Sequence, residues 1–303
     1  LRMIIDQQYH KKFLPIVQDP LVKRYWLDEI AKTSDFHKSE KMGYFVSKFD
    51  RFVTERIMRN IIAQPVSSLN FANIMAEKKI LLVDLSKGKI GEENAIFLGL
   101  LFVPRILMAA FERVNQLNKD AIPDFYLYVD EFQNFSTPDF ATILSEARKY
   151  KLNLTVANQF ISQLSDEIKN AVFGNVGTLV SFRVGLDDAD YLETQFTPTF
   201  DKNDLINLPM GNCYMRLLVK GQPTSPFSMN VEWDAQRDDL SQRYSTVTPS
   251  KNMALRIKEL SRQKYGRPIS EVEEYISKRA GFEEPKPEPQ SPQATERKKF
   301  IPF

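Results

Sequence analysis

The sequence predicts an α/β fold, a mostly parallel sheet flanked by helices with an antiparallel hairpin at one edge. Three observations carry this. Ile80–Leu85, Phe125–Val129 and Leu152–Ala157 are short apolar runs of the length and composition of buried strands. Helical patterns separate them, and strands alternating with helices build parallel sheets. Polar side chains stand just beyond two of the runs, Asp130 and Glu131 after the second, Asn158 and Gln159 after the third. The ends of neighbouring buried strands are where open α/β sheets place ligands.

The chain of 303 residues has room for one large domain or two smaller ones. Lys and Arg number 41 against 39 Asp and Glu, so net charge alone does not argue for nucleic acid. The single Cys213 excludes an internal disulfide and fits a reducing compartment. With His10 and His37 as its only histidines, the chain is a poor candidate for a His/Cys metal cluster. No secretory signal is visible, and a start at Leu1 without Met suggests a fragment of a longer protein. Ala95–Phe111 is strongly apolar but broken by Pro104 and Arg105. It reads as a helix buried on a sheet, not as a membrane span of ~20 clean residues.

In order, residues 1–75 read as helical. Leu21, Tyr25, Trp26, Leu27 and Ile30 form one stripe; Phe45, Phe49, Phe52, Val53, Ile57, Ile61 and Ile62 form another. Both are expected to be core, with Lys48, Arg51, Arg56 and Arg59 on a solvated face. Residues 76–233 hold the α/β core. Ile80–Leu85 leads through Ser86–Gly91 into the Ala95 helix, the outline of a phosphate-binding loop. The outline fails against G-x-x-x-x-G-K-[ST]: Val83 stands where the first Gly belongs, and Ile90 follows Lys89 where a hydroxyl should meet Mg²⁺. Further strands are expected at Thr178–Val184, Cys213–Val219 and Ser228–Trp233, with helices near Asp166–Phe173 and Asp187–Gln195. Gly221-Gln222-Pro223 joins the last two strands as a hairpin. Residues 234–281 form a helical appendage. Ser250 caps one helix that Gly266 stops, and Ser270 with Glu273 spells a capping box for a second. Residues 282–303, rich in Pro, Glu, Lys and Gln, read as a disordered tail.

The chemistry concentrates between Asp124 and Gln163. Adjacent carboxylates after a buried strand can divide their work. Asp130 can hold Mg²⁺ through water, and Glu131 can orient and deprotonate an attacking water. The same dipeptide can also be ordinary charge at a strand end. Thr137 and Pro138 suit the start of a helix whose Phe140, Ile143, Leu144 and Ala147 share one face. Arg148 sits on the flank of that face. It is either a cation favoured by the helix C-terminus or an arginine finger for a phosphate on an adjacent subunit. Gln159 is either a polar strand end or an amide that senses the terminal phosphate. Lys87 and Lys89, in the glycine loop, are candidates for sequence-independent phosphate contacts with DNA, or simply solvated.

Read together, Y-V-D-E-F, S-E-A-R-K and T-V-A-N-Q resemble the type IV secretion coupling proteins, the family of the TraD and TraG conjugation ATPases. The likeness extends upstream through NIMAEKKILLVDLSKGKIGEENA and downstream through Ser181-Phe182-Arg183, about residues 55–233. It implies a RecA-like P-loop NTPase core using ATP and Mg²⁺, assembled as a homo-hexamer. Such a ring drives DNA, taken as single-stranded, to a secretion channel. The partners it implies are relaxosome and channel proteins. The place it implies is the bacterial cytoplasm, at the cytoplasmic face of the inner membrane. Asp130 and Glu131 match the metal-binding and catalytic acids of the Walker B motif, Arg148 the finger acting in trans, and Gln159 the phosphate sensor.

The resemblance is incomplete. The phosphate-binding Lys and Ser/Thr are absent, and so is the membrane anchor; both are expected N-terminal to Leu1, with residues 1–75 within or beside an all-α insertion. The chain alone is then expected to lack activity, and hydrolysis belongs to the complete protein. Two alternatives stay open. One is another RecA-like ring motor, a different secretion ATPase or a HerA-type translocase. The other is a non-catalytic partner-binding domain that lost its phosphate loop.

Overall fold

The computed structural model describes the chain apart from residues 1–6, 31–42, 117–121, 232–249 and 281–303, and apart from residues 45–46, 48, 50–51, 53, 138–139, 141–143 and 145. The expected polar linker after Trp233 and the expected tail lie outside the described residues. The chain divides into two compact units, residues 1–68 with 256–303, and residues 69–255.

The first unit is helical. Asp19 caps Pro20–Arg24 by accepting from the amides of Leu21 and Val22. Glu55 does the same for Arg56–Ile62 through Ile57 and Met58. The helix Ile269–Ala280 meets Arg56–Ile62 through Glu273, whose Oε1 pairs with Arg56 Nε at 2.6 Å and accepts from Asn60 Nδ2 at 3.3 Å. This corrects two expectations. Glu273 is spent on Arg56 and Asn60, and the helix begins two residues earlier than a Ser270 cap would start it, so Ser270 lies inside it and makes no capping box. The side of Arg56–Ile62 so engaged is not its apolar stripe: Met58 is buried, while Ile57, Ile61 and Ile62 are exposed. Leu21, Tyr25 and Leu27 of the first stripe are exposed as well. Phe45 and Val53 lie outside the described residues.

The second unit is a mixed α/β body. α1 (Phe71–Ala76), capped by Asn70, packs on α2 (Glu92–Gln116), a single helix that passes through Pro104. α2 is long and apolar enough to cross a membrane by length alone, but one face is core. Val103, Ile106, Leu107 and Ala110 are buried there with Val129, Phe132, Leu152, Ile168 and Val172. β1 (Phe125–Val129) and β2 (Leu152–Val156) pair in parallel, Phe125 opposite Leu152 through Val129 opposite Val156. α3 (Asp166–Asn175), capped by Ser165, closes this core with Ile168 and Val172.

A second sheet comes next in the chain. β3 (Leu179–Ser181) is separated from β4 (Asn212–Arg216) by α4 (Leu186–Phe196) and α5 (Lys202–Ile206). The short β5 (Leu218–Val219) and β6 (Gln222–Pro223) form a hairpin, and β7 (Phe227–Asn230) completes the sheet in the order β3-β4-β7. Lys220 and Gly221 both have positive φ, 52° and 81°, as a two-residue primed turn requires. Both ladders of the β3-β4-β7 sheet are antiparallel. The expected mostly parallel sheet is therefore corrected: among the described residues, only β1 and β2 are parallel. Between β3 and β4 the chain runs through two packed helices, α4 and α5, instead of the single crossover helix of a parallel unit.

Ile80–Leu85 is the other correction. It forms no strand and joins no ladder, and Ile80 and Leu82 are 89% and 85% exposed. β1 hydrogen-bonds β2 along one edge; across a cleft from it lies this segment, over a floor of α2. β1 is itself buried on one face only, with Tyr126 and Tyr128 exposed between Phe125, Leu127 and Val129. Without a strand partner, its five apolar residues gain no burial from being strand-like.

Candidate functional site

Parallel pairing places the C-terminal ends of β1 and β2 side by side. Two bonds extend the ladder past both strands, from Ala157 N to Val129 O at 3.0 Å and from Phe132 N to Ala157 O at 2.9 Å. The segments that leave the two strands are therefore tied to each other. Phe132, fully buried and 4.8 Å from the Phe140 ring, anchors a short 3₁₀ turn, Phe132–Asn134. Between strand and turn stands Glu131, at φ 50° and ψ 45°, in the left-handed region. A non-glycine residue there costs on the order of 1–3 kcal/mol and persists only where its surroundings hold it.

The surroundings do hold it. Glu131 Oε1 accepts from Gln159 Nε2 at 2.5 Å, and Oε2 accepts from Gln133 Nε2 at 2.6 Å. Asp130 Oδ1 accepts from the Glu131 amide at 2.9 Å, and Asp130 is exposed. Asp130, Glu131, Gln133 and Gln159 line a cleft of about 1960 Å³ that also borders Asp84 and Lys87.

Gln159 is positioned from α4. Asp188, 5% exposed in the first turn of that helix, accepts from the amides of Ile161 at 3.1 Å and Ser162 at 3.2 Å, just beyond Gln159. Removing this acceptor orphans two N–H groups. Asp188→Ala is expected to lower the unfolding free energy by about 2–3 kcal/mol, read from urea denaturation. Asp188→Asn, which keeps one acceptor, is expected to cost roughly half as much.

The structure thus brings three predicted residues together: Asp130, Glu131 and Gln159. It adds Gln133 and Asp188, which sequence reasoning missed. Gln133 lies two residues beyond Glu131, and nothing in its spacing marks it. Asp188 reads as one of two helix-start acids, Asp187 and Asp188, and only burial distinguishes it. Arg148 belongs by its backbone to the 3₁₀ turn Ala147–Tyr150, but its side chain lies outside the described residues. Phe140 and Ala147 are buried and Leu144 half-buried, on the helix face expected of them; Ile143 lies outside the described residues.

Lys87 and Lys89 are paired within their own turn. Lys87 Nζ lies 2.6 Å from Glu92 Oε1, and Lys89 pairs with Asp84. The Lys89 hydrogen bond, helped by two from Ser86, pushes the Asp84 carboxyl down to about 2. Both lysines are solvent-exposed, so these pairs contribute little. They would have to be given up for either lysine to contact a phosphate.

The arrangement can hold a carboxylate in one orientation and present a second carboxylate to a cation. No group of three or more His, Cys, Asp or Glu side chains that could hold a metal occurs among the described residues. Asp130 offers one oxygen without a hydrogen-bond partner among those residues. A lone carboxylate of this kind suits Mg²⁺, which keeps most of its waters and shares its shell with substrate phosphates. It does not suit Zn²⁺ or Ca²⁺, which need more protein ligands.

Residues 124–194 match the family model described as the TraM recognition site of TraD and TraG. No curated protein matches the chain significantly. Among solved structures, the chain is similar to a bacterial conjugative coupling protein, TrwBdeltaN70 in an unbound form, at 17% identity and a TM-score of 0.32. The match covers 43% of this chain and 36% of that one, and at this score no residue role is carried across. The family match falls on the segment that holds Asp130, Glu131, Gln133, Gln159 and Asp188, and the motifs in it are those of the resemblance drawn from sequence. Residues 124–194 are thus similar to the TraD and TraG coupling proteins in the segment that this family model describes.

Proposed function

We propose that this chain is the hydrolytic half of a RecA-like motor, part of a coupling protein that uses ATP and Mg²⁺ to move DNA during conjugation. The observation that carries the reading is the meeting of Asp130, Glu131 and Gln159 at the adjacent ends of two parallel strands, beside an open cleft. In this reading Asp130 holds Mg²⁺ through water, and Mg²⁺ supplies charge neutralisation at the phosphates. Glu131 takes the proton from the attacking water. Gln159, bonded to Glu131, connects that carboxylate to the second strand. Arg148 reaches a phosphate on the neighbouring protomer of a hexamer. Residues 1–75 stand within or beside an all-α insertion, and 234–281 form an appendage.

The test is phosphate release by the complete protein, with and without single-stranded DNA, in Mg²⁺ and in EDTA. The expected result is Mg²⁺-dependent turnover raised by DNA. No turnover under any of these conditions overturns the reading.

A second reading rests on the description of the matched family, which names TraM recognition by TraD and TraG. Residues 124–194 would then also receive a relaxosome protein of the TraM kind. The two readings are compatible, because α3 and α4 lie in the matched segment beyond the cleft residues. Capture of such a partner by this chain, and its loss when the exposed Glu167 and Asn170 of α3 are replaced, would separate recognition from hydrolysis; undiminished capture would place recognition elsewhere.

A further inference from the structure

We propose that Gln133 is a positioning residue for Glu131, the fixed arm of a two-amide clamp whose other arm is Gln159. This rests on the motor reading of the site and adds to it a residue that neither the family motif nor the sequence pattern singles out.

The geometry is specific. Each oxygen of the Glu131 carboxylate accepts one side-chain amide, Oε1 from Gln159 at 2.5 Å and Oε2 from Gln133 at 2.6 Å. An ionised carboxylate has about four lone-pair sites. Two remain for a water, but the plane and tilt of the group are set by the two donors. The arms differ in what carries them. Gln133 sits in the turn Phe132–Asn134, pinned by the fully buried Phe132 and closed by a bond from Phe135 N to Phe132 O at 2.9 Å. Gln159 is exposed, in the link between β2 and the turn Ile161–Gln163. Gln133 therefore keeps Glu131 in place when Gln159 lets go to meet another group.

A second observation supports the assignment. Gln133 Oε1 is buried and has no hydrogen-bond partner among the described residues. An amide chosen for packing alone would not leave its oxygen unsatisfied in the interior. Turned the other way, that oxygen would face the Glu131 carboxylate. The amide is oriented for Glu131 at the expense of its own acceptor.

The experiment uses the complete protein and this chain. In the complete protein, Gln133→Leu is expected to lower kcat on the order of 10- to 100-fold, as misplacement of a catalytic group does. KM for nucleotide should stay within about twofold, because the lost contact acts on the reacting step. Placed on top of Glu131→Gln, the same change should have no further effect, since Gln133 acts only through Glu131. Full turnover in Gln133→Leu, or an equal loss in both backgrounds, overturns the proposal. In this chain, the side-chain amide signals of Gln133 should shift in a ¹⁵N NMR spectrum when Glu131→Gln is introduced. Unmoved signals overturn the clamp itself. Shifted signals in a protein that hydrolyses nothing overturn the motor reading, and with it the role given to Gln133.

Discussion

Glu131→Gln in the complete protein is expected to reduce nucleotide turnover by about 10²- to 10⁴-fold, the range supplied by a positioned general base. Nucleotide binding is expected to be nearly unchanged. The substitution keeps the length and shape of the side chain and removes its charge. It also disturbs the clamp in a defined way. The carboxylate accepts on both oxygens, from Gln133 and from Gln159. A glutamine offers one oxygen and one NH₂, so one of the two amides then faces another donor. Gln159, on the exposed link, has the freedom to turn away, while Gln133 is carried by the anchored turn. A single-turnover assay separates the outcomes. Tight binding with stalled chemistry fits Glu131 as the base. Undiminished turnover removes Glu131 from that role, whatever its backbone strain.

The strands that end at the site were legible, because β1 and β2 carry signals that local sequence can express. Both runs are apolar, both are bounded by polar residues, and the parallel register follows from the helical connection between them. Asp130, Glu131 and Gln159 could be singled out because they stand at strand ends, a position that sequence marks. The misses have a common physical origin. Ile80–Leu85 has strand composition, but a strand exists only with a partner, and pairing is not a local property. The direction of β4 follows a pair of helices, α4 and α5, while the strand-helix pattern predicts a single crossover helix and a parallel return. Gln133 and Asp188 act through burial and angle, which a polar residue in a turn or helix start does not announce. The exposed stripes of residues 21–30 and 57–62 show the same limit: helical spacing of apolar residues gives a face, not what covers it.

Arg113→Ala is expected to destabilise residues 69–255 by about 3–5 kcal/mol, the largest stability effect anticipated at a single polar position, read from urea denaturation of this chain. Arg113 is 3% exposed near the C-terminal end of α2. Its Nη1 donates to Pro123 O at 3.1 Å, and its Nη2 to Tyr150 O at 2.7 Å and more weakly to Lys151 O at 3.5 Å. These carbonyls belong to the segments that lead into β1 and β2, so one guanidinium ties together the starts of both strands. Phe111, on the same helix, packs its ring 4.4 Å from that of Tyr150. The turn that carries Arg148 is thus held by two side chains of α2. Burial pushes the guanidinium below its usual value, with nearby Asp124 acting in the other direction; an arginine still stays charged at neutral pH. Whether the cation gives back what its burial costs decides the size of the effect. Lys151 O also accepts from Phe125 N at 2.9 Å and is not orphaned by the change, whereas the carbonyls of Pro123 and Tyr150 lose their Arg113 donors. Arg113→Met separates the contributions, since it keeps most of the packing and removes only the donors. A loss of roughly half that of alanine assigns the remainder to packing. Stability equal to wild type in Arg113→Met would mean that desolvation of the cation cancels its carbonyl bonds, as happens at some buried ion pairs. The hold on the Arg148 turn would then rest on Phe111 and Tyr150.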